Sequence, residues 1–215
     1  EVEPSECGLQ VATRRAMPDG QTYWRINQFL MPFWTAVPPS GGEPDISGHA
    51  WIPIDDFHTL CIMYSYQPES PLSERKLKLY TKGARGRESG HMTQDGVLPF
   101  DPAKPYGKYW PKLNWKNDYG LDISSQQTKY FSGMAGLWPQ DAGLQESMGA
   151  IADRTQEHLC SSDKGIVETR KLLKRSAEAL RNSGDAPPGV KNPDSYMLRE
   201  GALTRKNGHA VFSPI

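Results

Sequence analysis

At 215 residues the chain has the length of one domain or one large piece of a domain, with ample material for a core. Its 25 basic and 25 acidic side chains cancel to a formal net charge of zero, which withholds the positive excess that binding to a phosphate backbone or an anionic membrane draws on. No apolar run approaches the roughly 20 residues of a membrane span, and the start Glu1-Val-Glu-Pro-Ser lacks the basic and apolar segments of a leader, so the expectation is a soluble, cytoplasmic protein that partners neither nucleic acid nor membrane.

The first residues read as mid-protein sequence running into a strand, which makes the chain an expected part of a longer one. Residues 8 to 37 alternate apolar and polar side chains on either side of Pro18-Asp19-Gly20, the pattern of a β-hairpin. A polar loop, Pro38 to Pro44, leads to Ala50-Trp-Ile-Pro-Ile54, a turn at Asp55-Asp56, and the β-prone run Thr59 to Tyr66, which together predict a second hairpin. Direct hairpins without helical crossovers build an antiparallel sheet. Residues 67 to 115 are rich in Pro, Gly, Lys and Arg and predict a long loop region with one short helix, either a lid or subunit contact or a plain solvated loop.

The last third changes character. Asp141 to Ala152 lacks proline and reads as a helix, and Ser162-Asp163 caps a second helix running to about Asn182. Ile166, Leu173 and Leu180 fall on one face of it, with Leu172 and Ala177 beside them. Gly184 is the expected C-cap, Pro187-Pro188 bars continuation, and Val211 to Pro214 is a short strand or a tail. The predicted fold class is therefore α+β, an antiparallel sheet packed on a long C-terminal helix. Cys7, Cys61 and Cys160 are odd in number and widely spaced, which points to ordinary thiols rather than disulfides or a thiolate metal site.

Gln140-Asp141, Gln145-Glu-Ser-Met-Gly149, Asp153-Arg154, Glu157-His158-Leu159, Ser162-Asp163 and Arg170-Lys-Leu-Leu173 make a long, compositionally unusual pattern. Tyr23-Trp24-Arg25, Pro32-Phe33 and His49 to Asp56 join it upstream. The pattern resembles the C-terminal catalytic domain of Rieske non-haem iron aromatic ring-hydroxylating oxygenase α subunits, in the branch of phthalate dioxygenases and aromatic O-demethylases. Residues 1–215 would then be the C-terminal part of that catalytic domain, with a helix-grip, START-like fold, and the Rieske domain and the two-histidine segment would lie upstream.

The resemblance implies that Asp141 is the carboxylate ligand of a mononuclear Fe(II). It implies a parent enzyme that draws electrons from NAD(P)H through a reductase or ferredoxin to a [2Fe–2S] cluster and on to that iron. There O₂ serves dioxygenase, monooxygenase or O-demethylase chemistry on an aromatic acid, within a homotrimer. Two histidines and one carboxylate on one face leave positions open for oxygen and substrate. The paired histidine motif and the cysteine-histidine motifs of a Rieske cluster do not occur in this chain, so by itself it is expected to be inactive.

Plainer readings stand beside these. Asp141 could stabilise a helix as its N-cap or in its first turn, a role compatible with ligation. Gln145, one turn on, could orient that carboxylate or simply lie at the surface. Asp153, Arg154, Glu157 and His158 read as a structural polar cluster, because adjacent helical residues diverge by about 100°. His49 and His58 with Asp55 and Asp56 read as turn chemistry, and His91 and His209 as exposed. Phe131, Met134 and Trp138 could line an apolar pocket or fill a core. Ile123 and Cys160 depart from the family pattern, where Arg and Gly are usual. Arg14, Arg15, Arg25, Arg85 and Arg87 could each meet a carboxylate, with nothing in the sequence to rank them. The rival class is a metal-free helix-grip module that binds an apolar small molecule, which fold alone does not exclude.

Overall fold

The computed structural model describes residues 1–38, 46–67, 70–82, 96–197 and 201–205. They fall into two compact units, one of Glu1–Ile52, Leu60–Pro71 and His158–Ile215, the other of Pro53–Thr59 and Leu72–Glu157.

The first unit is built on strands β1 (Val2–Ser5), β2 (Gly8–Ala16), β3 (Thr22–Leu30), β4 (Trp34–Val37), β5 (Ile46–Pro53), β6 (Thr59–Tyr66) and β7 (Gly201–Arg205). The sheet order is β1-β2-β3-β4-β5-β6, and the pairings of β1 to β5 are antiparallel. β7 pairs antiparallel with Thr22–Ile26 of β3, beyond the stretch of β3 that meets β4. Nine register pairs join β2 to β3, from Gly8↔Leu30 to Ala16↔Thr22. The Pro18-Asp19-Gly20 turn closes them as expected, with Met17 N donating to Gln21 O at 2.9 Å and Gly20 at φ +77°. The second hairpin is also present. At its turn Asp55 Oδ1 accepts the backbone N–H groups of Phe57 and His58, each at 2.8 Å, and those bonds hold the Asp55 carboxyl below its ordinary range.

Register sets the core. Ala12, directly opposite Ile26, clusters with Ile26 and Trp24, and Trp24 is only 1% exposed. Buried Cys7 donates its thiol to Ser195 O at 3.1 Å, and the Tyr196 hydroxyl donates to Met31 O at 3.0 Å, so the 3₁₀ turn Pro193–Met197 is tied to the start of β2 and the end of β3. All three cysteines are free; burial raises the thiol of Cys7 and pushes that of Cys61 up to about 11, while Cys160 is exposed.

The long helix α4 spans Lys164–Ser183 and ends where expected, at Gly184 in the left-handed region (φ +73°), whose N–H reaches Leu180 O at 3.0 Å. It lies against β1 and β2. Its packing face differs from the predicted one. Ile166, Leu173 and Leu180 are 48%, 38% and 52% exposed, whereas Ser176 is buried and a Cβ at Gly165 would come within 2.9 Å of Val11 Cγ1. Small residues bring the helix close to the sheet, so the bulky stripe lies to one side. The described architecture is α+β, an antiparallel sheet with a long helix near the C-terminus.

In the second unit α1 (Glu74–Lys82) supplies the one short helix expected between 67 and 115, and Ser73 caps it through its hydroxyl, which accepts from Lys76 N at 3.3 Å. Residues 83–95, which include Arg85, Arg87 and His91, lie outside the described residues, as do His209 and Val211 to Pro214. Two further helices follow, α2 (Ile123–Gln126) and α3 (Leu137–Glu146).

Candidate metal-ligand site on α3

The segment leading to α3 is folded by side chains that bond to nearby backbone. Asn114 Oδ1 accepts Lys116 N at 3.0 Å, Asn117 Oδ1 accepts Asn114 N at 3.0 Å, and both amide groups donate to Lys112 O, at 3.1 and 2.7 Å. These staples hold Asp118, Tyr119 and Gly120 consecutively in the left-handed region, at φ +49°, +55° and +70°. Asp122 then caps α2 by accepting Ser124 N and Ser124 Oγ at 3.0 and 2.7 Å, bonds that lower its carboxyl from the ordinary range. Buried Ser125 ties the turn together, donating to Asp122 O at 2.9 Å while its own carbonyl accepts from Lys129 and Tyr130. Gly133, at φ +73°, sits where a Cβ would fall 2.7 Å from Leu121 Cδ1 and 2.9 Å from Asp122 O, so the chain reverses there only without a side chain.

α3 both begins and ends earlier than the predicted Asp141 to Ala152, and residues 147–152 are turn. It starts at Leu137, takes Pro139 into its first turn and ends at Glu146, with Gly149 at φ +89° beyond it. Proline is tolerated there because the first-turn N–H groups have no intrahelical acceptor. Gly136 is the N-cap and makes no side-chain bond, so α3 lacks a polar side-chain cap; its carbonyl accepts Gln140 Nε2 at 2.6 Å. Asp141 is the fifth residue of the helix, one turn past the cap, which removes the capping reading of its carboxylate.

One side of α3 is locked. Pro139, Ala142 and Gly143 are buried, and a Cβ at Gly143 would meet the Tyr119 ring at 3.3 Å and Met134 Cε at 3.5 Å. The Tyr119 hydroxyl donates to Glu146 Oε2 at 2.5 Å. Desolvation, then the bond to Glu146 and its negative charge, push the Tyr119 phenol up to about 12. Trp138 buries its indole N–H with no acceptor among the described residues, a state that costs about 1–3 kcal/mol.

The other side is open. Leu137, Asp141 and Leu144 recur at helical spacing, and the two leucines are 53% and 71% exposed. Asp141 is exposed too, and among the described residues no hydrogen bond or ion pair engages its carboxylate. Gln145 is exposed, and its side chain makes no hydrogen bond to the Asp141 carboxylate.

The remaining candidates are dispersed. Phe131 is 98% exposed and walls no pocket, while Met134 touches the Gly143 position. Asp153 caps a 3₁₀ turn and Arg154 pairs with Glu157 at 2.7 Å, so those residues act structurally as expected. Glu157 and His158 follow that turn in non-helical backbone, so their divergence does not arise from helix geometry. His58 pairs with its own turn residue Asp55 at 2.8 Å, and His49 stacks on Trp51 at 5.1 Å. Ile123 and Cys160 are exposed, and Cys160 belongs to a local cap with Asp163. Among the described residues no three His, Cys, Asp or Glu side chains converge as metal ligands. Asp141 thus offers a single ligand, and the described residues alone do not form an iron site. The sequence did not single out the Tyr119–Glu146 clamp or the Gly143 contact. Asn114-x-x-Asn117 and Asp122-x-Ser124 were its only local signals.

Comparison with known proteins places this arrangement. A family model described as LigXa C-terminal domain like matches residues 1–196. The chain belongs to the LigXa C-terminal domain-like family. The chain is 29% identical over 198 residues to the 3-chlorobenzoate-3,4-dioxygenase oxygenase subunit of Comamonas testosteroni, covering 91% of this chain and 45% of that protein. It is 28% identical over 197 residues to the phthalate 4,5-dioxygenase oxygenase subunit of Pseudomonas putida, covering 88% and 40%. This LigXa C-terminal domain-like chain therefore spans less than half the length of those relatives, and it matches their C-terminal region.

Proposed function

We propose that the chain is the C-terminal part of the catalytic domain of a Rieske-type oxygenase α subunit that hydroxylates or O-demethylates an aromatic acid, with Asp141 as the carboxylate ligand of a mononuclear Fe(II). The observation that carries this reading is a carboxylate with no partner among the described residues, flanked by exposed Leu137 and Leu144 on a helix whose opposite side is locked. Asp141 neither caps α3 nor pairs with another described side chain, so its carboxylate is available to a cation. The relatives support the reaction class, since both are oxygenase subunits of enzymes named for aromatic carboxylates.

What these residues contribute is position. A ligand on a helix is held more narrowly than one on a loop, and the Tyr119–Glu146 bond and the Gly143 contact fix α3 against the loop before it. Leu137 and Leu144, once covered, keep water from the carboxylate and lower the local dielectric, which strengthens its hold on a cation. The other two iron ligands, the [2Fe–2S] cluster, electron delivery from NAD(P)H through a reductase or ferredoxin, and homotrimer assembly belong in this proposal to polypeptide outside these 215 residues.

The test is turnover. In the protein that joins this chain to the segment bearing the two histidines, Asp141→Ala should abolish oxygen-dependent conversion of benzoate-class substrates while leaving the visible absorbance of the cluster intact. Turnover within about tenfold of the parent would remove Asp141 from the site.

A further inference from the structure

Of the five arginines that the sequence could not rank, three come together on the β2–β3 hairpin. Register places Thr13 opposite Arg25 and Arg15 opposite Tyr23, so these four lie on one face of the sheet, while Arg14 falls opposite Trp24. Thr13, Arg14, Arg15, Tyr23 and Arg25 line a concavity of about 120 Å³. A cavity of about 150 Å³ accommodates a benzene ring, so this one suits a carboxylate with part of an attached ring.

Among the described residues these charges have no acidic partner. Diagonal cross-strand neighbours such as Arg15 and Arg25 lie roughly 7–8 Å apart, close enough for long side chains to meet and for like charges to repel. The hairpin's one acid, Asp19, gives both oxygens to Gln21, accepting its N at 3.0 Å and its Nε2 at 2.8 Å. Among the described residues no carboxylate pairs with Arg14, Arg15 or Arg25. Clustered guanidinium groups without acids invite an external oxyanion, and their planar forks match a carboxylate through two parallel hydrogen bonds. Tyr23 adds an aromatic surface to the lining.

We propose that this concavity is a carboxylate-binding site for a small aromatic acid, with Arg15 and Arg25 as its anchors. The ligand class rests on the aromatic-acid substrate proposed above; the residues are chosen by register and charge alone. The experiment is a titration of the metal-free 215-residue chain with benzoate, followed by amide and Arg Nε chemical shifts, in parallel with benzyl alcohol, inorganic phosphate and poly-glutamate. Saturable benzoate binding is expected, weakened at least about tenfold by Arg25→Ala and by Arg15→Ala. Benzyl alcohol should show no saturation at the same concentrations. Arg25→Lys, which keeps the charge and loses the fork, should bind more weakly than the parent. Circular dichroism of each variant should match the parent, because both arginines are exposed.

Benzoate binding that survives the double substitution would overturn the site. So would phosphate displacing benzoate at equal concentration, or saturation by poly-glutamate without benzoate, which would assign the arginines to a general anion or an acidic protein. The measurement uses no iron, so failure of Asp141 as a ligand would leave it standing, and its failure would leave Asp141 untouched.

Discussion

β2 and β3 share an unbroken ladder of nine register pairs, and Trp24, Ile26 and Ala12 bury their side chains together within it. Between Pro111 and Glu146, by contrast, the backbone is fixed largely by the side chains of Asn114, Asn117, Asp122 and Ser125, each bonding to main chain a few residues away. The sheet is stabilised mostly by burial and by a cooperative ladder. The Asp141 region relies on local bonds, each worth about 0.5–1.5 kcal/mol net, and on backbone geometry that only certain residues adopt. Such construction places a helix accurately while burying little apolar surface, consistent with α3 leaving Leu137 and Leu144 exposed.

The largest expected effect lies in the sheet. Trp24→Ala removes the largest side chain of the core cluster and should cost about 3–5 kcal/mol, read as a lower urea midpoint by far-UV circular dichroism. A loss below about 1 kcal/mol would mean that burial at Trp24 does not stabilise this sheet.

Gly133→Ala comes next, at about 1–3 kcal/mol, because the new Cβ would meet Leu121 and Asp122 O at a positive φ. Its signature should be local: faster hydrogen exchange at Asp122 and Ser125, with little change along β2 and β3. Equal acceleration in both regions would erase the contrast between them.

Tyr119→Phe should be smaller, about 0.5–1.5 kcal/mol, and it should change the alkaline limb. The Tyr119 phenol is raised from an ordinary 10.0 to about 12, so the folded state favours the protonated form. That contribution is complete below pH 10 and is lost as pH rises through about 12. Tyr196 is also raised by burial, so spectrophotometric titration at high pH should show one late-ionising tyrosine fewer in the variant than in the parent. Equal numbers in the two would contradict the clamp on Glu146.

These contrasts also explain what could be read from the sequence. Alternation and Pro18-Asp19-Gly20 sufficed for the first hairpin, and Gly184 for the end of α4, because each depends on neighbours in the chain. The sequence points to a late start for α3 because proline reads as a barrier, whereas the first helical turn has no bond for Pro139 to break. The sequence points to the wrong packing face of α4 because its large apolar residues give the stronger pattern, although Gly165 is what lets the helix approach Val11. Asp141 was legible as a candidate through the surrounding pattern, but its mid-helix position and its lack of partners depend on where α3 begins. The convergence of Arg15 and Arg25 required a cross-strand register that the sequence does not state.

The most direct test of Asp141 is an iron count. In the protein that joins this chain to the two-histidine segment, the proposal predicts about three iron atoms per protomer, two in the cluster and one mononuclear. Asp141→Ala should lower the count to about two with the cluster spectrum unchanged. A variant that still retains the third iron would contradict the assignment of Asp141 as a ligand.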